Sequence, residues 1–169
     1  MKYIKLIFIV SLLFGGCSLW KEISGQYKIL PNQSVVLDST LATDLVSQCS
    51  RYAPIIEGSW NPSPQQIQDL ENKLYKISEL TSEKCCLGGE KVDDINKFYR
   101  QYVGVIINGK KLIYINAFSK EDFEFGKSKT EIDWRKESYI ICDGGYYYWG
   151  AIYNPENKEF TDLAFNGVA

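Results

Sequence analysis

Between residues 61 and 80 the apolar positions fall at helical spacing. Ile67, Leu70, Leu74 and Ile77 recur at steps of 3, 4 and 3, which puts one stripe of side chains against a core. Ser63, Pro64 and Gln66 stand where a helix cap, a first-turn proline and the return partner of a capping box belong. An amphipathic helix is therefore predicted over 64–80, with Asp69 and Lys73 expected to pair across one turn of its outer face. LATDLVSQCS, residues 41–50, carries a shorter apolar pattern and predicts a second helix bearing Cys49. Beyond residue 90 the period becomes alternating. KFYRQYVGVIINGKKLIYINAF, residues 97–118, holds two β-branched and aromatic runs around Asn108-Gly109, the pair that supplies the positive φ angles of a two-residue type I′ hairpin turn. Strands are also predicted at 34–38, 138–143, 146–154 and 159–165, the last two joined by an Asn154-Pro155-Glu156-Asn157 turn. Residues 119–137, charged with interspersed aromatics, read as an exposed loop with one turn of helix. Helices followed by hairpin-linked strands indicate an α+β fold: an antiparallel sheet of about five strands packed against one long amphipathic helix, with a shorter helix.

The first 33 residues do not belong to that pattern. Lys2 and Lys5 flank the start of an apolar stretch, residues 6–14, interrupted only by Ser11. It is about half the ~20 residues that a membrane-spanning helix needs, and with small residues behind it this is the layout of a cleavable export signal. Gly15-Gly16-Cys17 resembles the lipobox of bacterial lipoproteins. The resemblance implies that residues 1–16 are removed and that Cys17 becomes the acylated first residue of the mature chain. Ser18 at the next position implies an outer-membrane anchor facing the periplasm. More than one acyl chain gives durable attachment. Residues 17–33 then form a lipid-proximal tether, and 34–169 a single globular domain. CDGGYYYWGAIYNPENKEFTDLAFNGVA, residues 142–169, is also similar to the C-terminal segments of bacterial exported proteins, which implies the same compartment.

With 19 basic and 21 acidic residues and a net charge of −2, the chain has no Lys/Arg-rich run, so nucleic acid is not an expected partner. Losing Lys2 and Lys5 with the leader makes the mature domain more acidic. Cys49, Cys85, Cys86 and Cys142 remain after Cys17 is set aside, and an even count in an exported protein reads as disulfides. Neighbouring cysteines rarely bridge each other, so Cys85 and Cys86 are expected to reach Cys49 and Cys142, in either order. Metal is not expected, because the chain contains no histidine and no paired C-x-x-C spacing.

The missing histidine also excludes Ser–His–Asp and Cys–His hydrolases. No phosphate-loop or dinucleotide fingerprint occurs, and no cofactor is expected. Carboxylate pairs drawn from Glu57, Asp133, Asp143 and Asp162 remain as a catalytic possibility. The stronger lead is aromatic. Alternation through YYYWGAIY places Tyr146 and Tyr148 on one sheet face and Tyr147, Trp149 and Tyr153 on the other, one of them partly exposed. Arg51, Tyr52, Glu57 and Trp60 form a second polar–aromatic stretch and Trp134-Arg135 a third. Together with Asp143, Tyr146, Tyr148 and Trp149 they are candidates for one recognition patch, since Tyr, Trp and Arg concentrate binding energy. Three readings follow: a membrane-anchored, non-catalytic module that binds a protein of the cell envelope, as inhibitors and immunity proteins do; an envelope accessory lipoprotein in assembly or transport; and a carboxylate-dependent glycan hydrolase.

Overall fold

The computed structural model describes residues 28–30, 33–83, 86–125 and 132–168. Cys17, Cys85 and the leader lie outside them. Seven strands form one mixed sheet: β1 (Lys28–Leu30), β2 (Ser34–Val36), β3 (Gly58–Trp60), β4 (Phe98–Ile107), β5 (Lys110–Ser119), β6 (Tyr148–Asn154) and β7 (Glu159–Phe165). The order across the sheet is β1-β2-β4-β5-β6-β7, with β3 also on β4. β2 and β3 share one edge of β4: β2 lies parallel against Arg100 to Tyr102, and β3 antiparallel against Gly104 to Ile106. The sheet is thus larger than expected and not purely antiparallel. β1 is built from residues assigned above to the tether. The β4–β5 hairpin forms as predicted, with Asn108 at φ 50° and Gly109 at φ 72°.

Short helices cover both faces. α1 (Ala42–Val46) is much shorter than the predicted 41–50, because Ser47 Oγ and Gln48 Nε2 donate to the carbonyls of Thr43 and Leu45 at 2.7 and 2.9 Å. Side chains that take the last carbonyls stop the helix, and Cys49 falls in the turn beyond. α2 (Pro64–Lys73) starts at the predicted capping box and tightens into a 3-10 segment, Leu74–Glu79. Its stripe of Ile67, Leu70, Leu74 and Ile77 is buried against Tyr102, Ile115, Trp149 and Phe165 on one face of the sheet. Asp69 does not pair with Lys73. It reaches Lys158 in the β6–β7 turn at 2.9 Å, and that hydrogen bond holds its carboxyl below the usual range.

The opposite face is buried as well, contrary to the expectation of a partly open one. α1 packs on Val103, Val105 and Tyr114. α3 (Lys120–Phe125) and residues 132–141 pack an aromatic cluster of Phe118, Phe123, Trp134 and Tyr139. Trp134, read as part of an exposed loop, is therefore interior. The predicted strand at 138–143 does not form. Its backbone is claimed by side chains of the sheet: Asn116 Nδ2 donates to the Tyr139 carbonyl at 2.8 Å, and the Tyr139 amide donates to Gln101 Oε1 at 3.0 Å.

Two tyrosines inside this frame resist ionisation. Burial raises the Tyr102 phenol far above its ordinary range, and burial with a hydrogen bond to Asp122 does the same for Tyr148. The unfolded chain ionises both near pH 10, so their contribution is complete below that pH and is lost as the pH rises above it. The unfolding free energy from urea titrations should hold level to about pH 9 and fall beyond about pH 10. Phenolate absorbance of Tyr102 and Tyr148 should emerge only together with unfolding.

Candidate functional site

At one end of the sheet, where β4 and β6 begin and β5 and β7 finish, a cleft of about 600 Å³ opens beneath residues 90–97. Phe98 and Phe165 supply its apolar floor, and Tyr146 and Tyr147 one wall. The wall exists because β6 starts at Tyr148. Gly144, at φ 85°, and Gly145 turn the chain into a 3-10 segment, Gly145–Tyr147, instead of extending the strand. A Cβ on Gly144 would overlap the Tyr148 ring, so this turn requires glycine. Tyr146 and Tyr147 are 52% and 53% exposed as a result, whereas Tyr148 and Trp149 enter the two cores.

The rim is charged and ordered. Tyr146 leans on Phe165 with ring centroids 6.0 Å apart, and its hydroxyl donates to Glu90 at 3.4 Å. Asp94 accepts from the Asn96 amide at 2.9 Å, capping a 3-10 turn, Ile95–Lys97. Lys120 donates to the Asn96 carbonyl at 2.5 Å and lies over the Tyr99 ring. Burial, and then the charge of Arg100, lower its ammonium pKa. The cleft therefore offers aromatic rings beside alternating carboxylates and ammonium groups.

The predicted patch does not converge. Glu57 and Trp60 lie at the hairpin end: Glu57 accepts from the Gly109 amide at 2.9 Å, and the Trp60 indole donates to the carbonyls of Val105 and Leu112. Tyr52 lines a separate cavity there. Trp134 is core, with Arg135 stacked 4.5 Å over its ring. Asp143 sits at φ 72°, its amide donating to Ser50 Oγ at 2.7 Å. Of the candidates only Tyr146 reaches the cleft. Tyr147, Phe98, Phe165 and Lys120 were missed. The Gly144-Gly145 pair was the available signal for the first, since two glycines before an aromatic run favour a turn over a strand. Glu57 and Asp133 also stand apart. Glu57 bonds at the level of Ile106, while Asp133 precedes Trp134, whose carbonyl takes a bond from Gln101. Five steps along β4 are about 17 Å, too far for a glycosidase pair.

Arg51 is the least expected placement. It is buried, desolvation lowers its pKa, and its Nη2 donates to Asn116 Oδ1. No carboxylate pairs with it among the described residues, and its Nε and Nη1 lack hydrogen-bond partners. It anchors residues 50–52 to a polar seam of Asn116 and Gln101 that in turn holds residues 134–139. Its role is to join segments, not to meet solvent.

Cysteine pairing also differs from the expected order. Cys49 bridges Cys142 directly, with Cα atoms 5.2 Å apart. Cys86 is disulfide-bonded too, and its sulfur lies 3.3 Å from the Ser50 carbonyl oxygen. That carbonyl accepts from the Gly167 amide at 2.7 Å, and the Gly167 carbonyl accepts from Gly145 at 2.9 Å. The turn carrying Tyr146 and Tyr147 is thereby tied to the segment beside the bridge. Among the described residues no cluster of acids and cysteines is placed to hold a metal, and no helix is long and apolar enough to cross a membrane. No protein-family model, curated protein sequence or solved structure matches the chain.

Proposed function

We propose that this chain is a bacterial envelope lipoprotein, anchored through acyl chains on Cys17, whose domain is a non-catalytic protein-binding module of the inhibitor or immunity kind. The observation that carries the reading is the cleft wall: two adjacent tyrosines, each about half exposed, standing over an apolar floor of Phe98 and Phe165. Tyrosine offers a large rigid surface with a polar tip at small entropic cost. A wall held by Gly145–Gly167 and Gly167–Ser50 hydrogen bonds beside a disulfide needs little further ordering when a partner docks. The Cys49–Cys142 bridge supports an oxidising, exported location. With the lipobox resemblance and Ser18, it favours the outer membrane, facing the periplasm.

The test uses the full lipidated chain, purified in detergent and used to capture a partner from solubilised envelope. Tyr146→Ala/Tyr147→Ala should weaken binding of that partner on the order of 1,000-fold, two hot-spot truncations' worth. Thermal melting should stay unchanged, because neither ring is core. Cys17→Ser should abolish labelling by a palmitate analogue. Equal binding by the double variant would refute the cleft as the interface.

A further inference from the structure

We infer that the cavity at the hairpin end of the sheet binds a neutral saccharide. This goes beyond the protein-binding cleft, which lies at the opposite end, and does not depend on it. The cavity measures about 410 Å³ and opens on the α1 face, where Ile107, Leu112 and Ile152 give it an apolar floor. That is a size suited to a small ligand. Tyr52, 39% exposed, adds an aromatic ring to the lining. Asn108 from the β4–β5 turn joins Asn154 and Asn157 from the β6–β7 turn as three planar amides. Glu159 and Asp162 of β7 add two carboxylates.

The backbone is bent to deliver these groups. Asn108 takes φ 50° in its turn, and Lys158, between Asn157 and Glu159, takes φ 62°. Asp162 takes φ 55° within β7, where one extra residue interrupts the pairing with β6 between Thr161 and Ala164. An unbroken strand would send Thr161 and Asp162 to opposite faces. The bulge instead leaves both exposed and lining the cavity. Left-handed backbone at non-glycine residues carries strain that gathers at functional sites, and three of the four such residues described are in or beside this cavity. The polar groups are also held in place. Asn157 donates to Glu159 Oε2 at 2.6 Å, Asn154 Oδ1 accepts from the Glu156 amide at 2.9 Å, and Thr161 Oγ1 donates to Asp162 Oδ2 at 2.9 Å.

A sugar ring carries hydroxyls around its rim and C–H bonds on its faces. Planar amides and carboxylates can each meet two neighbouring hydroxyls, while an aromatic ring and an aliphatic floor cover a C–H face. Charge selects among ligands. Glu159 and Asp162 outnumber Lys110, the one cation of the lining among the described residues. Phosphate, sulfate and sialyl groups are therefore repelled, whereas a hydroxyl-rich neutral ligand donates to the carboxylates in charge-assisted hydrogen bonds.

For the test, the full chain is purified in a detergent without a sugar headgroup. It is applied to an array of neutral hexose and N-acetylhexosamine oligosaccharides beside sialylated and sulfated ones, and the strongest binder is titrated by calorimetry. A neutral oligosaccharide should bind. Asn108→Gly and Asp162→Gly each remove one polar side chain while glycine keeps the positive φ, and each should weaken that binding on the order of tenfold. Tyr52→Ala should weaken it by a similar factor. No binding across the array, a preference for the acidic glycans, or parental affinity in both glycine variants would overturn the assignment.

Discussion

Replacing Cys49 and Cys142 by alanine and serine should lower the unfolding free energy by about 4 kcal/mol, a large share of the ~5–15 kcal/mol that holds a domain of this size folded. The bridge closes a segment of 93 residues, among the longest loops the chain permits, and loop-closure entropy grows with length. The paired substitution isolates this bridge, whereas a reductant would also open the disulfide of Cys86. Urea unfolding of the oxidised parent and the double variant, compared at pH 7, measures the difference. The loss should also be local. Cys142 precedes Asp143, whose amide is bound by Ser50, and the chain then turns through Gly144 and Gly145 to Tyr146. Hydrogen exchange at residues 143–147 should quicken before the β4–β5 hairpin loosens, and partner binding at the cleft should weaken with it. A variant that unfolds at the parent's midpoint would show that the native contacts around Ser50 hold the termini without the bridge.

Local rules in this chain were legible, and contacts between distant segments were not. The capping box at Ser63, the stripe from Ile67 to Ile77 and the Asn108-Gly109 turn each depend on residues within a few positions of one another. Their physics is complete in the sequence. β3 is three residues long, too short to show alternation, and exists because the edge of β4 beyond β2 is open to it. Residues 138–143 have strand-like composition, yet Asn116 and Gln101 take their backbone groups, and those side chains come from β5 and β4. Arg51 looks like a surface residue by its charge and Trp134 by its charged neighbours; Asn116 and Phe118 are what bury them. The cleft was half legible. Gly144-Gly145 marks the turn that exposes Tyr146 and Tyr147, but its floor pairs Phe98 with Phe165, residues far apart along the chain.

The second large effect lies in a cluster that no motif announces. Glu71 on α2 meets Arg100 on β4 at 3.5 Å. Glu71 Oε1 accepts from Tyr102 at 2.7 Å and from Ser34 at 2.6 Å. Arg100 is buried and donates to Tyr102 Oη and to the carbonyls of Ile95 and Phe98. One carboxylate thus joins α2 to both strands of the parallel β2–β4 pair, which no tight turn can close. Glu71→Ala leaves the Arg100 charge, the Tyr102 hydroxyl and the Ser34 hydroxyl without their acceptor, and should destabilise by about 3 kcal/mol. Glu71→Gln keeps one acceptor oxygen and should lose only about 1–2 kcal/mol. Glu71→Met/Arg100→Met replaces the pair by apolar groups and should recover much of the alanine variant's loss, because an unpaired buried cation is worse than none. A double-mutant cycle in urea gives the coupling. If the alanine and glutamine variants proved equally stable and both near the parent, α2 would be held by its apolar stripe alone, and the parallel pairing would need no polar latch.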